Sequence, residues 1–185
     1  MNTYTLLVGT VSAAFAATAV NADIDISLDN FKASGLEFDQ FADPSTGVEE
    51  LAGTLTGFDG NFVLNEDALG GTRCEDLCIL IGNEDLSLVL IQIGGTEDYT
   101  PFVENRYEWS SGASGLAGTT GGGSLSGLSF DLTGLFVFVG NVNGDDGGIG
   151  NWSGNISLTG ASFVPAPGTL ALLGLAGFGI RRRRA

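Results

Sequence analysis

Polar and apolar residues alternate strictly at the start of the acidic part of the chain, over residues 23–29. The alternation puts Ile24, Ile26 and Leu28 on one side of an extended backbone, which is typical of a strand with one buried face. Similar segments, separated by turn residues such as Asp-Pro-Ser-Thr-Gly and Gly-Gly, predict further strands. They cover residues 36–41, 53–64, 77–81, 86–93, 102–109, 125–139 and 152–164.

About eight short strands with glycine-rich turns predict an all-β fold, an antiparallel β-sandwich with a jelly-roll-like arrangement as one form of it. Thirty glycines and a single methionine disfavour long helices. Residues 125–139 alternate at first and become continuously apolar after Gly134. This pattern predicts one strand that is half-buried at first, bends at Gly134 and is then covered on both faces. Residues 110–123 are rich in small residues and predict a long flexible loop.

The first 22 residues contain no charged side chain and include an apolar segment from Leu6 to Val20, just before the acidic part of the chain begins at Asp23. Small residues at positions 20 and 22 suit signal-peptidase cleavage after Ala22, with cleavage after Ala19 as the alternative. We therefore expect residues 1–22 to be a signal peptide and the chain to be exported.

The last 22 residues combine a proline-rich hinge, a short apolar segment and a basic end. As a helix, residues 168–180 would be about 20 Å long at about 1.5 Å per residue. A bilayer core is about 30 Å thick, so this segment suits transient insertion better than a permanent span. The positive-inside rule keeps the terminal arginines in the cytoplasm.

This tail resembles the PEP-CTERM sorting signal of Gram-negative bacteria, in which a Pro-Glu-Pro motif precedes an apolar helix and an arginine-rich terminus. Pro165 and Pro167 match the two prolines, and Ala166 stands in the place of the glutamate. The matching positions are Val164, Pro165, Ala166, Pro167, Gly168, Arg181, Arg182, Arg183 and Arg184. The resemblance is confined to the tail.

The resemblance implies that an exosortase-like membrane protease removes residues 165–185 after transient insertion in the inner membrane. It also implies a host that makes exopolysaccharide, and a cell-surface or extracellular location. The alternative is a C-terminal anchor that is never cleaved.

Between these two segments lies one acidic domain, residues 23–164. It contains all 22 acidic residues but only three of the seven basic ones, so its net charge is −19. Such a domain attracts cations and repels nucleic acid, which we therefore exclude as a partner.

Cys74 and Cys78 are the two cysteines of the chain. An even number of cysteines in an exported protein predicts a disulfide, which here would staple a local turn. The alternative, a redox pair, normally requires Cys-x-x-Cys at the start of a helix. The acidic residues between the two cysteines also disfavour a thiolate.

Two ligand sites are suggested by residue type. Asn141, Asn143, Asp145 and Asp146 offer oxygen atoms at a spacing that suits Ca²⁺, although a glycine-rich hairpin loop between two strands is the simpler explanation of the same residues. Trp109 and Trp152 are candidates for stacking on a sugar ring, with a place in the core as the alternative.

The chain contains no histidine, which removes the commonest general base and the Ser-His-Asp arrangement. We therefore expect a non-enzymatic matrix or surface protein associated with exopolysaccharide or biofilm, with no cofactor except a candidate Ca²⁺. A Ca²⁺-dependent carbohydrate-binding or adhesive module is the second expectation. A small glycoside hydrolase that works with two carboxylates is the third.

Overall fold

The described part of the chain, residues 23–42, 47, 49–96, 99, 103–143 and 148–164 of a computed structural model, is all-β, as predicted. These residues contain no helix of sufficient length and hydrophobicity to cross a membrane. A single turn of 3₁₀ helix covers Cys74–Asp76. The strands are β1 (Ile24–Ser34), β2 (Phe38–Phe41), β3 (Leu51–Leu64), β4 (Leu77–Gly82), β5 (Val89–Gly94), β6 (Val103–Tyr107), β7 (Thr120–Asp131), β8 (Phe136–Asn141) and β9 (Ile149–Phe163).

The strands form two sheets. The first sheet has the order β1-β9-β3-β7, and the second has the order β2-β8-β4-β5-β6. The antiparallel pairs are nested, since β4 pairs with β5, β3 with β7, β2 with β8 and β1 with β9. One pair departs from the predicted antiparallel pattern, because β6 lies parallel to β5 at the edge of the second sheet.

The two sheets share one hydrophobic core. Ile26, Phe62 and Trp152 of the first sheet and Ile79 and Ile91 of the second belong to the same cluster of buried side chains. The prediction that β1 has one buried face is confirmed, since Ile26 is fully buried while the residues on either side of it face outward. Burial of this apolar surface is the main driving force for the two-layer arrangement.

A second hydrophobic cluster covers the other face of the second sheet. It contains Leu80, Val89 and Phe138, with the ring of Phe38 and that of Tyr99 packed edge to face 4.9 Å apart. Both faces of β4 and β8 are thus buried, which explains their continuously apolar sequences and confirms the expectation for residues 135–139.

The prediction of one strand over residues 125–139 was wrong in its continuity. β7 ends at Asp131, the chain turns at Gly134, where φ is +77°, and β8 begins at Phe136 in the other sheet. A left-handed residue at this turn is available to glycine without strain, so the chain changes sheets instead of bending within one. The predicted loop over residues 110–123 is also shorter, because β7 already begins at Thr120.

Candidate functional site

Neither tryptophan is placed to stack on a sugar. Trp152 is fully buried, and its Nε1 donates a hydrogen bond to the backbone oxygen of Cys74 at 3.0 Å. Trp109 is 6% exposed and donates from Nε1 to Leu77 O at 2.7 Å. The expectation of a stacking platform was wrong because each indole fills the core and has its polar atom satisfied there.

The predicted disulfide is also corrected. Cys74 and Cys78 are both buried, free thiols. Cys74 lies in the core between the sheets, whereas Cys78 lies in the cluster on the opposite face of the second sheet. The change of direction from the 3₁₀ turn into β4 therefore sends the two side chains to different sides.

Burial raises the pKa of the Cys74 thiol to about 11 and raises that of Cys78 well above its usual range. A redox pair needs a thiolate near neutral pH, and both thiols are held protonated. The two cysteines are therefore packing residues.

The candidate calcium ligands Asn141 and Asn143 meet at Thr72. Asn143 Nδ2 donates to Thr72 Oγ1 at 2.9 Å, and Asn141 Nδ2 approaches the same oxygen at 3.3 Å. Asn141 Oδ1 is buried and has no hydrogen-bond partner among the described residues. A buried amide oxygen without a hydrogen-bond donor is unusual. Amide oxygens are also among the ligands that coordinate Ca²⁺ in proteins.

The outer face of the first sheet brings together polar side chains from three neighbouring strands. One row runs from Asp25 through Ser157 to Asp59, because each residue is directly opposite the next across the strand pair. A second row runs parallel to it. Its members are Ser27, Asn155 and Asn61. We call these six residues the polar face.

The polar face follows from strand alternation. In β3, Phe58 and Phe62 are buried in the core while Asp59 and Asn61 are exposed. β9 does the same, with Ile156 buried and Asn155 exposed. Adjacent strands are about 4.8 Å apart, so each row of three residues is about 10 Å long.

Within the polar face, only some of the hydrogen-bonding groups of the six side chains bond to each other in the described part of the chain. The Ser157 hydroxyl donates to Asp25 Oδ1, which leaves further lone pairs on that carboxylate. A carboxylate accepts several hydrogen bonds, and an amide both donates and accepts. The face therefore presents both donors and acceptors to a ligand that carries many hydroxyl groups.

A network of amide hydrogen bonds borders the polar face near the start of β9. Asn65 Nδ2 donates to Asn151 Oδ1 at 3.0 Å and to Ser153 Oγ at 2.8 Å. Asn151 Nδ2 in turn donates to Glu66 Oε1 at 3.2 Å. This hydrogen bond from Asn151, with the nearby charge of Lys32, lowers the pKa of Glu66, so this carboxylate is ionised at neutral pH.

The outward polar residues of β1, β3 and β9 were visible in the sequence. What the sequence did not reveal is that β9 lies between β1 and β3, because strand order depends on long-range pairing. This strand order is what aligns the outward side chains of the three strands in the two rows of the polar face.

Several predicted residues lie outside the described part of the chain. They are Ala22, Pro165, Ala166, Pro167, Gly168, Arg181, Arg182, Arg183, Arg184, Asp145 and Asp146. Val164 is described, and its N–H donates to Glu50 O at 2.9 Å beyond the end of β9.

Comparisons of the chain with protein-family models, with curated proteins and with solved structures gave no match.

Proposed function

We propose that this chain is an exported, non-enzymatic protein of the cell surface or extracellular matrix that binds exopolysaccharide through the polar face. The sequences of the two ends support this proposal, since the first resembles a signal peptide for export and the second resembles a PEP-CTERM sorting signal. The observation that carries the binding proposal is the pair of rows Asp25–Ser157–Asp59 and Ser27–Asn155–Asn61. They form an exposed surface on rigid strands, long enough to contact consecutive sugars.

The nested strand pairing supports the jelly-roll form of the predicted sandwich. In such a fold, a long hairpin is rolled up so that each outgoing strand pairs with its returning partner. Here β1 to β4 pair with β9, β8, β7 and β5, and β6 is an addition after β5. Lectin domains are among the proteins that use jelly rolls, although a fold alone does not establish a function.

Charge narrows the polysaccharide class. The domain of residues 23–164 carries 22 acidic residues against three basic ones. A strongly anionic polymer would be repelled by these acidic residues. The repulsion is strongest at low salt, because screening by ions is then weak and charges interact over about 10 Å even at 0.1 M ionic strength. The proposal therefore specifies a neutral polysaccharide, or an acidic one held through bound cations.

Removing polar-face side chains should weaken binding without unfolding the domain. We expect Asp59→Ala/Asn61→Ala to weaken binding to exopolysaccharide isolated from the producing cells by at least about 10-fold, since each lost hydrogen bond is worth about 1 kcal/mol and about 1.4 kcal/mol is tenfold. Co-sedimentation with the polysaccharide measures this, with and without EDTA.

The matched control is Glu84→Ala/Glu104→Ala, two exposed acids away from the polar face. It removes more negative charge than the test variant, so a purely electrostatic effect would be larger in the control. Equal affinities for the wild-type protein and Asp59→Ala/Asn61→Ala would overturn the assignment of the polar face.

A Ca²⁺-dependent carbohydrate-binding module is the second candidate, and the buried Oδ1 of Asn141 favours it. In this case, EDTA in the same assay abolishes binding by the wild-type protein, and Asn141→Ala reproduces the loss without EDTA. Binding unaffected by EDTA leaves the polar face as the complete site.

A further inference from the structure

We propose that the free edge of β7 is a self-association site at which a second copy of this chain adds its own β7. β7 is the last strand of the first sheet among the described residues, and it is twelve residues long. An edge strand presents unpaired N–H and C=O groups that can template another strand. This inference concerns assembly and does not depend on the proposed binding of polysaccharide.

The direction of the free backbone groups follows from one contact. Ser110 N–H donates to Gly122 O at 3.0 Å from the side opposite β3. Backbone groups alternate direction along an antiparallel strand, so those of Ser124 and Ser126 also point away from β3. Residues 110–111 cover the edge at Gly122, and the register of β7 against β3 shifts after Ser126, beside Gly127 with a φ of +84°. In the described part of the chain, the regular open edge is therefore residues 123–126.

The other edges are protected. β2 carries Asp39, and β6 carries Glu104 and Arg106. β1 carries Asp25, Asp29 and Lys32, and its register shifts near Asn30, where φ is +52°. Short edges, charged side chains and bulges are the devices by which proteins prevent edge-to-edge pairing.

Residues 120–130 of β7 carry no charge, and its one charged residue, Asp131, is the last of the strand. Residues 109–130 contain no charged residue at all, within a domain of net charge −19. Leu125 of β7 is 38% exposed at the margin of the core, which adds an apolar contact beside the open backbone.

The charge pattern selects a second copy as the occupant. A basic partner would gain most from the acidic surfaces and nothing from an uncharged edge. Two copies of this domain repel each other everywhere except along such an edge. Antiparallel pairing of β7 with β7 is also self-complementary, which a two-fold symmetric dimer requires.

The test is a mass measurement by light scattering after size exclusion, made on the full chain in non-ionic detergent and on residues 23–164, which contain both sheets. We expect a concentration-dependent dimer that strengthens between about 0.1 M and about 1 M salt, as the Debye length falls from about 10 Å to about 3 Å. A basic partner would show the opposite salt dependence.

Ser126→Lys should weaken the dimer at least about 10-fold, since it adds a positive charge to the paired edge of each copy and lysine is a common edge protector. Ser27→Lys on β1 is the control, because it changes the same residue type and the net charge equally on the opposite edge. Ser124→Pro is a second variant that should also weaken the dimer. It removes an N–H that points away from the sheet, a position where proline is tolerated in the fold.

A chain that stays monomeric at every concentration and salt would overturn the proposal. So would equal weakening by Ser126→Lys and Ser27→Lys, because the loss would then not depend on β7.

Discussion

Trp152→Ala is expected to destabilise the domain by about 3–5 kcal/mol, the range for removing a large aromatic side chain from a core. The indole is fully buried in the core between the sheets and donates to Cys74 O. Truncation leaves a cavity and removes one of the two hydrogen bonds to Cys74 O, which also accepts from the N–H of Leu77. Urea unfolding followed by circular dichroism measures the loss, which is a large share of the roughly 5–15 kcal/mol of a typical domain.

Two further variants complete this prediction. Trp152→Phe keeps most of the volume and removes the hydrogen bond, so it should cost less than the alanine variant. Leu116→Ala removes an apolar side chain that is 67% exposed and should change stability by less than about 0.5 kcal/mol. A Trp152→Ala protein as stable as Leu116→Ala would place the indole outside the core and restore the sugar-stacking hypothesis.

Gly94→Ala is expected to cost about 3–5 kcal/mol, because three unfavourable effects coincide at one atom. Gly94 has a φ of +83°, where an L side chain is strained. A Cβ there would lie 2.0 Å from Trp109 Nε1 and 2.3 Å from Leu77 O. It would therefore break the hydrogen bond that joins this indole to β4.

Gly118→Ala separates backbone strain from the clash. Its φ is +79°, and a Cβ added to this residue would have no atom of another part of the chain within 4 Å. We expect it to cost about 1–2 kcal/mol from the left-handed backbone alone. Equal losses in thermal or urea unfolding for the two glycine variants would contradict the role of Gly94 in seating Trp109.

The fold class was predictable because alternation is a local property. The period of two in residues 23–29 located β1, and the switch to continuous apolar residues after Gly134 located a strand buried on both faces. The nested pairing of β1 with β9 was not predictable, since it joins residues more than a hundred positions apart. Neither was the parallel β6, which depends on a chain crossover and not on strand composition.

The candidate site was predictable only in its parts. Trp109 and Trp152 drew attention by residue type, but their burial is decided by the packing of both sheets. The spacing of Cys74 and Cys78 suggested a disulfide, whereas the turn between them sends the thiols to opposite faces of a sheet. The sequence contained the side chains of the polar face but not the strand order that aligns them.

The proposed function requires delivery of the acidic domain to the outside of the cell without its two apolar ends. The most direct measurement is the intact mass of the protein recovered from the exopolysaccharide fraction of the producing cells. We predict a chain that begins at Asp23 and lacks Arg181 to Arg184. A full-length mass in that fraction, with Arg181 to Arg184 still present, would contradict it.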